Sequence, residues 1–440
     1  MTKTYLTMLL DSPLKWSMSL CLSVLPLISS AQTVLDINDD EINVVDDNGN
    51  KEEIDFPEAM TYDMDSLMSQ YMSKTYLTID NDCQMKNENV TYNKDVYIDR
   101  LHRMPTIMEM PYNEVVQSCI DRYTERMRRS VSYFLGAANF YMPIFEEALD
   151  LYQLPLELKY LPVIESALNP TAVSRVGATG LWQFMLPTGK AYGLNVNSLV
   201  DERRDPVKAS YAAARYLRDL YGIFGDWSLV IAAYNCGPEN INKAIRRSGG
   251  EKDYWKIYPY LPKETRGYVP AFIAANYVMN YYCEHNICPM KSQLPAKTDT
   301  IMVDRNVDFS QIASVCGLDI SMIRALNPAY RRDIVPGATA PSPIRLPIDD
   351  ISLFIDNQDS IYAAESATEK RLEVEVDESV AKKTTTNKKG KSRSTQSHKV
   401  RKGENLGAIA KRYGTTVSKL KSLNGLKNSN IRAGQSLRVR

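Results

Sequence analysis

Two stretches of this chain, residues 303–337 and 400–434, share one apolar pattern at a constant separation of 97 residues without a gap. Val303 answers Val400, Phe309 answers Leu406, Ile312-Ala313 answers Ile409-Ala410, and Gly317 answers Gly414. Ile320, Ile323 and Leu326 answer Val417, Leu420 and Leu423; Asn327 answers Asn424, Ile334 answers Ile431, and Gly337 answers Gly434. A register kept over so many positions marks a duplicated module. The C-terminal part must therefore fold as two small units of one design, 299–349 and 398–440. Each reads strand, helix, helix, strand. In the second copy Val400 lies in the first strand, Leu406–Tyr413 forms a helix ended by Gly414, Val417–Leu423 forms the next, and Ser436–Val439 closes the unit. The first copy carries extra residues, Thr339 to Ser342, before Ile344-Arg345-Leu346.

Ahead of the repeat the period is helical. Val116, Cys119, Ile120, Tyr123 and Met127 fall at three- and four-residue steps from Asn113, and Tyr133, Leu135, Ala138, Tyr141, Ile144, Phe145 and Ala148 continue them. Leu154-Pro155-Leu156-Glu157 opens a short helix that ends near Glu165-Ser166, with Pro170 forbidding its continuation. Asp205-Pro206 is a start signal for a helix over Val207–Tyr221, with Ser210, Ala213, Ala214 and Leu217 on one face. Helices are also expected over Trp227–Tyr234 and Pro270–Tyr282. No strand pattern of weight lies between Tyr112 and Cys288, so residues 91–295 read as an all-α domain.

The remaining segments look unstructured or processed. Residues 1–31 read as a secretion signal: Lys15 precedes the run Trp16 to Ile28, which is too short for a membrane span, and cleavage is expected after Ala31. Residues 32–90 are acidic and read as a largely disordered leader with one helix around Tyr62–Tyr76; 350–397, rich in Lys, Thr and Ser, read as a flexible tether. The formal net charge is zero, so no global field points to nucleic acid. The cysteines and the scattered His102, His285 and His398 show no metal-ligand spacing, and no metal or other cofactor is expected. Cys283 and Cys288 are close enough to be a candidate disulfide pair, and Cys119 and Cys236 read as buried free thiols.

Three blocks carry chemistry. Leu161-Pro162-Val163-Ile164 leads into Glu165-Ser166-Ala167-Leu168-Asn169-Pro170; Gly177-Ala178-Thr179-Gly180-Leu181-Trp182-Gln183-Phe184-Met185 follows; Ala232-Ala233-Tyr234-Asn235-Cys236 comes later. A lone acid after an apolar run, with Tyr, Gln and Asn blocks downstream, suits a general acid for cutting a sugar polymer. Together with Tyr268-Val269-Pro270, these blocks resemble the lytic murein transglycosylases of the lysozyme-like superfamily, over about Tyr112 to Asn280. The D-type of that family carries lysin motifs (LysM) after its catalytic domain, and the two repeats resemble such motifs.

The resemblance implies a multidomain chain, an all-α lysozyme-like catalytic domain plus two small α+β (βααβ) LysM domains. It implies that Glu165 cleaves the bond between N-acetylmuramic acid and N-acetylglucosamine, acting first as acid and then as base on the muramic acid 6-hydroxyl, so that a 1,6-anhydro ring forms. Ser174, Gln183, Met185, Tyr234, Asn235 and Tyr268 would contact substrate or orient Glu165, and Glu264 would support the site. Trp182 fits core packing and substrate stacking equally well. Gly403, Glu404, Asn405, Asn430 and Ile431 would bind sugar in the second LysM unit. The first unit is divergent there, with Asn306-Val307-Asp308 where the second has Gly403-Glu404-Asn405. The expected partners are peptidoglycan glycan strands, with other cell-wall enzymes admissible. The mature chain would have no transmembrane span and would work in the periplasm or cell envelope; Leu20 is too bulky to precede a lipidated Cys21. A hydrolytic muramidase and a non-catalytic wall-binding scaffold are the rival readings. The usual two-carboxylate glycosidase would need a partner from Glu157, Asp201, Glu202, Asp205 or Glu264.

Overall fold

The apolar stripe Val131, Phe134, Leu135, Tyr141, Phe145 and Ala148 is wound into one 24-residue helix, Arg128–Leu151, against which the helix Pro206–Phe224 packs. The second helix begins as its sequence demands. Asp205 Oδ1 accepts from the N–H groups of Val207 (2.9 Å) and Lys208 (3.0 Å), Pro206 sits in the first turn, and Gly225 ends the helix in the left-handed region. Its buried Ala209, Ser210, Ala213 and Ala214 allow close approach to the long helix. The computed structural model describes residues 77–366 except Asn87, residues 397–439 except 402–403, 414, 427–430 and 433, and residues 41–45, 51–55, 57 and 60. The signal-like segment, the helix expected over Tyr62–Tyr76 and most of the Lys/Thr/Ser-rich tether lie outside the described residues.

The helix expected over Pro270–Tyr282 starts earlier and runs over Lys263–Tyr281, with Pro270 in its interior. Proline deprives the Arg266 carbonyl of its helical donor. The buried Tyr254 hydroxyl supplies the missing hydrogen bond, at 2.8 Å from Arg266 O and 3.1 Å from Thr265 O. The added turns bring Glu264 and Tyr268 onto one helix, four residues apart and on one face.

The leader is more ordered than its composition suggests. Glu41–Val45 and Lys51–Asp55 pair as an antiparallel hairpin that packs on the helices Lys263–Tyr281 and Glu114–Asp121. Met60 is fully buried, and its carbonyl accepts from Arg122 Nε at 2.7 Å. Leu77–Thr78 pairs with Lys291–Ser292. The disulfide joins Cys83 to Cys288, and Cys283 is exposed and free. The Cys283–Cys288 pairing is thereby corrected: strand pairing brings the distant Cys83 to Cys288. Cys119 is a buried free thiol as expected, and Cys236 a half-buried one.

The first repeat unit belongs to the same structural unit as the helical domain, which extends to Ile361; a second begins at Tyr362. Thr298–Val303 pairs antiparallel with Ser342–Pro347 around the helices Phe309–Cys316 and Ile320–Leu326. An inner pair, Asn306–Asp308 with Ile334–Pro336, adds to the expected four elements. Helices Ile351–Asp356 and Gln358–Ala363 then bury Phe354 and Ile361, so folded structure runs past 349 into the segment expected to be tether. In the second unit Ser397–Lys399 pairs with Ser436–Arg438 around Leu406–Arg412 and Val417–Asn424. The matched positions do matched work: Val303, Phe309, Ile312 and Ile323 are buried in one unit, Val400, Leu406, Ile409 and Leu420 in the other. Asn327 clamps the last strand through Arg345 N and O, both at 2.8 Å, and Asn424 does the same to Arg438 at 2.7 and 2.9 Å.

Candidate active site

Glu165 lies in the last turn of the six-residue helix Leu161–Ser166. Ala167 and Leu168 both adopt the left-handed conformation, with φ of 50° and 59°. Their N–H groups return to Val163 O and Pro162 O, so the helix closes just after Glu165. Ser166 is buried and donates to Leu181 O at 2.9 Å, which ties the acid helix to the Gly-rich block. Glu165 itself is half-buried beside Ile164.

A cleft of about 160 Å³ surrounds this carboxylate. Ser174, Gln183, Met185, Tyr234, Asn235, Glu264 and Tyr268 all line it, so every residue expected in the helical domain's site converges on one place. Ile164, Val176, Ala178 and Pro57 complete the lining. Val176 and Ala178 belong to the Gly-rich region; Pro57 comes from the leader, where no local pattern marks it.

Most of these side chains have an identifiable support. The Tyr268 hydroxyl donates to Glu165 Oε1. The Tyr234 hydroxyl donates to Trp182 O at 2.7 Å, which places the phenol beside the acid without making Glu165 its acceptor. Burial and the neighbouring Glu165 charge push both phenols well above the ordinary tyrosine range, so they remain hydrogen-bond donors at neutral pH. Asn235 Oδ1 accepts from Thr265 Oγ1 at 2.8 Å, joining the helix Trp227–Cys236 to the helix Lys263–Tyr281. Ser174 Oγ accepts from Ala178 N at 3.1 Å. Gln183 adopts a φ of 45° and donates to Gly180 O at 2.8 Å. Met185 is exposed at the rim, as is Glu264. Trp182 is fully buried, donates to Ser210 Oγ at 2.9 Å and packs edge-on to Phe145; its role is core packing.

The other acids have structural duties. Glu157 accepts from Met108 N at 2.6 Å, Asp201 grips Arg203, Glu202 accepts from Asn195 N at 2.7 Å, and Asp205 caps its helix. In the second repeat unit Gly403 and Asn430 lie outside the described residues. Glu404 accepts from Arg401 N (2.8 Å) and lies 2.8 Å from His398 Nε2, Asn405 caps its helix at Ala408 N (2.9 Å), and Ile431 packs against the small core. The Arg401 N–H and His398 hold the Glu404 carboxyl below the usual range.

Three family models match the chain. Residues 142–257 match the transglycosylase SLT domain, 297–363 the LysM-like domain described as that of lytic transglycosylase MltD, and 398–440 the LysM domain. The membrane-bound lytic murein transglycosylase D of Escherichia coli K12 is 28% identical over 340 residues, 76% of this chain and 70% of that protein. The soluble lytic murein transglycosylase of the same strain is 33% identical over 124 residues, 27% of this chain and 19% of its own. The solved 70 kDa soluble lytic transglycosylase of Escherichia coli aligns at 28% identity over 34% of this chain and 26% of that one, with a TM-score of 0.29. The chain carries a helical SLT domain followed by two LysM-type domains, the first reaching Ala363.

Proposed function

We propose that this chain of an SLT and two LysM-type domains is a lytic murein transglycosylase that cleaves peptidoglycan between N-acetylmuramic acid and N-acetylglucosamine, with Glu165 as its one acid–base group. One observation carries this reading: a single half-buried carboxylate, hydrogen-bonded by a buried tyrosine, stands in a cleft lined by Gln183, Tyr234, Asn235 and Ser174.

Glu165 gives its proton to the glycosidic oxygen as the bond to the muramic acid anomeric carbon breaks. The N-acetylglucosamine hydroxyl leaves, and positive charge spreads over the muramic acid ring. The Glu165 carboxylate then takes the proton of that sugar's 6-hydroxyl as its oxygen attacks the anomeric carbon. The acid is regenerated, a 1,6-anhydro ring is formed, and no water is consumed. The acid inventory supports internal capture: four of the five candidate second carboxylates are engaged in capping or in holding backbone and basic groups, and Glu264 is exposed at the rim. Tyr268 holds the Glu165 carboxyl in place between the two proton transfers.

The 398–440 unit delivers the enzyme to the wall, and the enzyme works in the cell envelope. The Cys83–Cys288 disulfide supports an oxidising compartment. No helix among the described residues is long and apolar enough to cross a membrane.

Mass spectrometry of the products released from purified peptidoglycan tests the reading. Muropeptides ending in 1,6-anhydro-N-acetylmuramic acid are expected. Reducing muramic acid ends, heavier by one water, would make the protein a hydrolase and bring Glu264 forward as the base. Wall binding without release would leave a scaffold.

A further inference from the structure

The Gly-rich segment that presents Gln183 is anchored in its middle by Ser166 and by the buried Trp182, and at its two ends by Arg203. Its guanidinium, about nine-tenths buried, donates through Nη1 to Gly177 O at 3.2 Å and Phe184 O at 3.1 Å, the two ends of the segment. The Arg203 backbone meets the middle as well. Gly180 has a φ of +89°, and a Cβ there would lie 1.8 Å from Arg203 O. The segment is thus seated on Arg203 at three points.

Arg203 is oriented by Asp201, with Nε on Oδ1 at 2.9 Å and Nη2 on Oδ2 at 2.8 Å. This paired geometry fixes the guanidinium plane. Asp201 is in turn docked on the first LysM-like module. Its N–H donates to Ala329 O at 2.9 Å, and the Arg331 N–H donates to Leu199 O at 2.8 Å, a small antiparallel bridge between Val200 and Tyr330. Arg331 Nη1 adds a bond to Asn197 O at 3.3 Å. On the module's side, the Tyr330 hydroxyl donates to Pro343 O in the outer sheet. The docking loop runs directly into Ile334–Pro336, which is paired residue by residue with Asn306–Asp308. Backbone hydrogen bonds thus draw the two loops of this module together, and one of them is seated on the helical domain.

We infer that the first LysM-like module braces the catalytic cleft: residues 329–331 hold Asp201, Asp201 holds Arg203, and Arg203 holds the segment 177–184 that presents Gln183 and leads into Met185. Arg203 is a positioning residue, and the module acts on substrate affinity without contacting the sugar at the scissile bond. The inference rests on the reading of the Glu165 cleft as the glycan site.

Steady-state cleavage of a soluble peptidoglycan glycan of defined length, by the full chain, tests it. Arg203→Lys keeps the charge but loses the fork that reaches two carbonyls and one carboxylate. Asp201→Asn keeps the docking N–H and loosens the grip on Arg203. Arg331→Pro removes the docking N–H, and Arg331→Ala keeps it. The first three should raise KM by about tenfold with a smaller change in kcat, while Arg331→Ala stays within about twofold of wild type, because misplacement of binding groups is felt as lost affinity and rate. A merely structural role would lower apparent kcat in proportion to the folded fraction and leave KM alone, and that result overturns the inference. Wild-type KM in Arg331→Pro overturns the module's part in it.

Should Arg331→Pro not fold, hydrogen exchange in the non-cleaving Glu165→Gln full chain decides. Coupling is reciprocal, so the same glycan should slow exchange at the Arg331 and Asp201 amides as well as along 177–184. Protection confined to 177–184 overturns the inference. Cleavage by wild type with unchanged KM in every variant sinks the brace alone, whereas no cleavage by wild type sinks the underlying reading and the brace with it.

Discussion

Glu165 reaches the cleft because its helix stops one residue later, at two buried left-handed residues that are not glycine. Such conformations are costly for ordinary residues and are kept only where surroundings hold them. Here the hydrogen bonds of Ser166, Ala167 and Leu168 provide that hold. Glu165→Gln should abolish product release while leaving sacculus binding intact, since an amide cannot deliver the proton; cleavage near the wild-type rate would remove Glu165 from its role. Tyr268→Phe should lower kcat by roughly 10- to 100-fold, on the scale of a lost charge-assisted hydrogen bond, and hardly move KM. Because burial and the Glu165 charge raise both phenols above their ordinary value of 10.0, loss of either phenolic proton should leave no alkaline limb below that pH in kcat profiles.

At the scale of elements, the helix Lys263–Tyr281 shows how a local rule is overridden. Pro270 should break a helix, yet the helix continues because Tyr254 satisfies the carbonyl that proline leaves bare. Tyr254→Phe should therefore destabilise the domain by about 1–3 kcal/mol, the cost of stranding a buried acceptor, read as a lower denaturation midpoint. A second network joins four segments: Arg100 Nη1 donates to the Tyr277 hydroxyl (2.8 Å), which lies 3.0 Å from His285 Nε2, and His285 Nδ1 lies 3.0 Å from Asn89 Oδ1. Burial, then the Arg100 and Arg128 charges, lower the His285 pKa from 6.5 to about 4. The unfolded chain binds this proton first as pH falls, so the contribution of neutral His285 is full above the unfolded value and lost on acidification across that interval. Melting temperatures should fall between these two pH values, and His285→Gln should flatten that part of the curve. Equal slopes in both proteins would assign the acid sensitivity elsewhere.

At the scale of the whole molecule, the two repeats fall in different structural units. The first is part of the unit that contains the cleft, and the second belongs to a unit of its own. A separate wall-binding unit raises the effective concentration of enzyme near glycan strands without touching the chemistry. Deleting 398–440 should therefore weaken binding to whole sacculi more than it slows cleavage of short soluble glycans. Equal losses on both substrates would make this unit a support for folding.

The apolar periods, the Asp205-Pro206 start signal and the repeated core positions are local properties, and they made the helical domain and the paired modules legible in the sequence. The residues of the cleft were legible through their spacing and their resemblance to a known family. What the sequence left open depends on partners far along the chain. The hairpin at 41–55, Pro57 in the cleft wall and the Cys83–Cys288 disulfide are set by packing on the helical domain. Trp182 became a core residue because Ser210 and Phe145 meet it there. Residues 351–363 fold because Phe354 and Ile361 find a core, despite the tether-like composition that follows. Local pattern decides which elements form, since it sets backbone preference and the apolar face. Only the tertiary structure decides which distant groups satisfy a bared carbonyl, seat a glycine turn or pair a thiol.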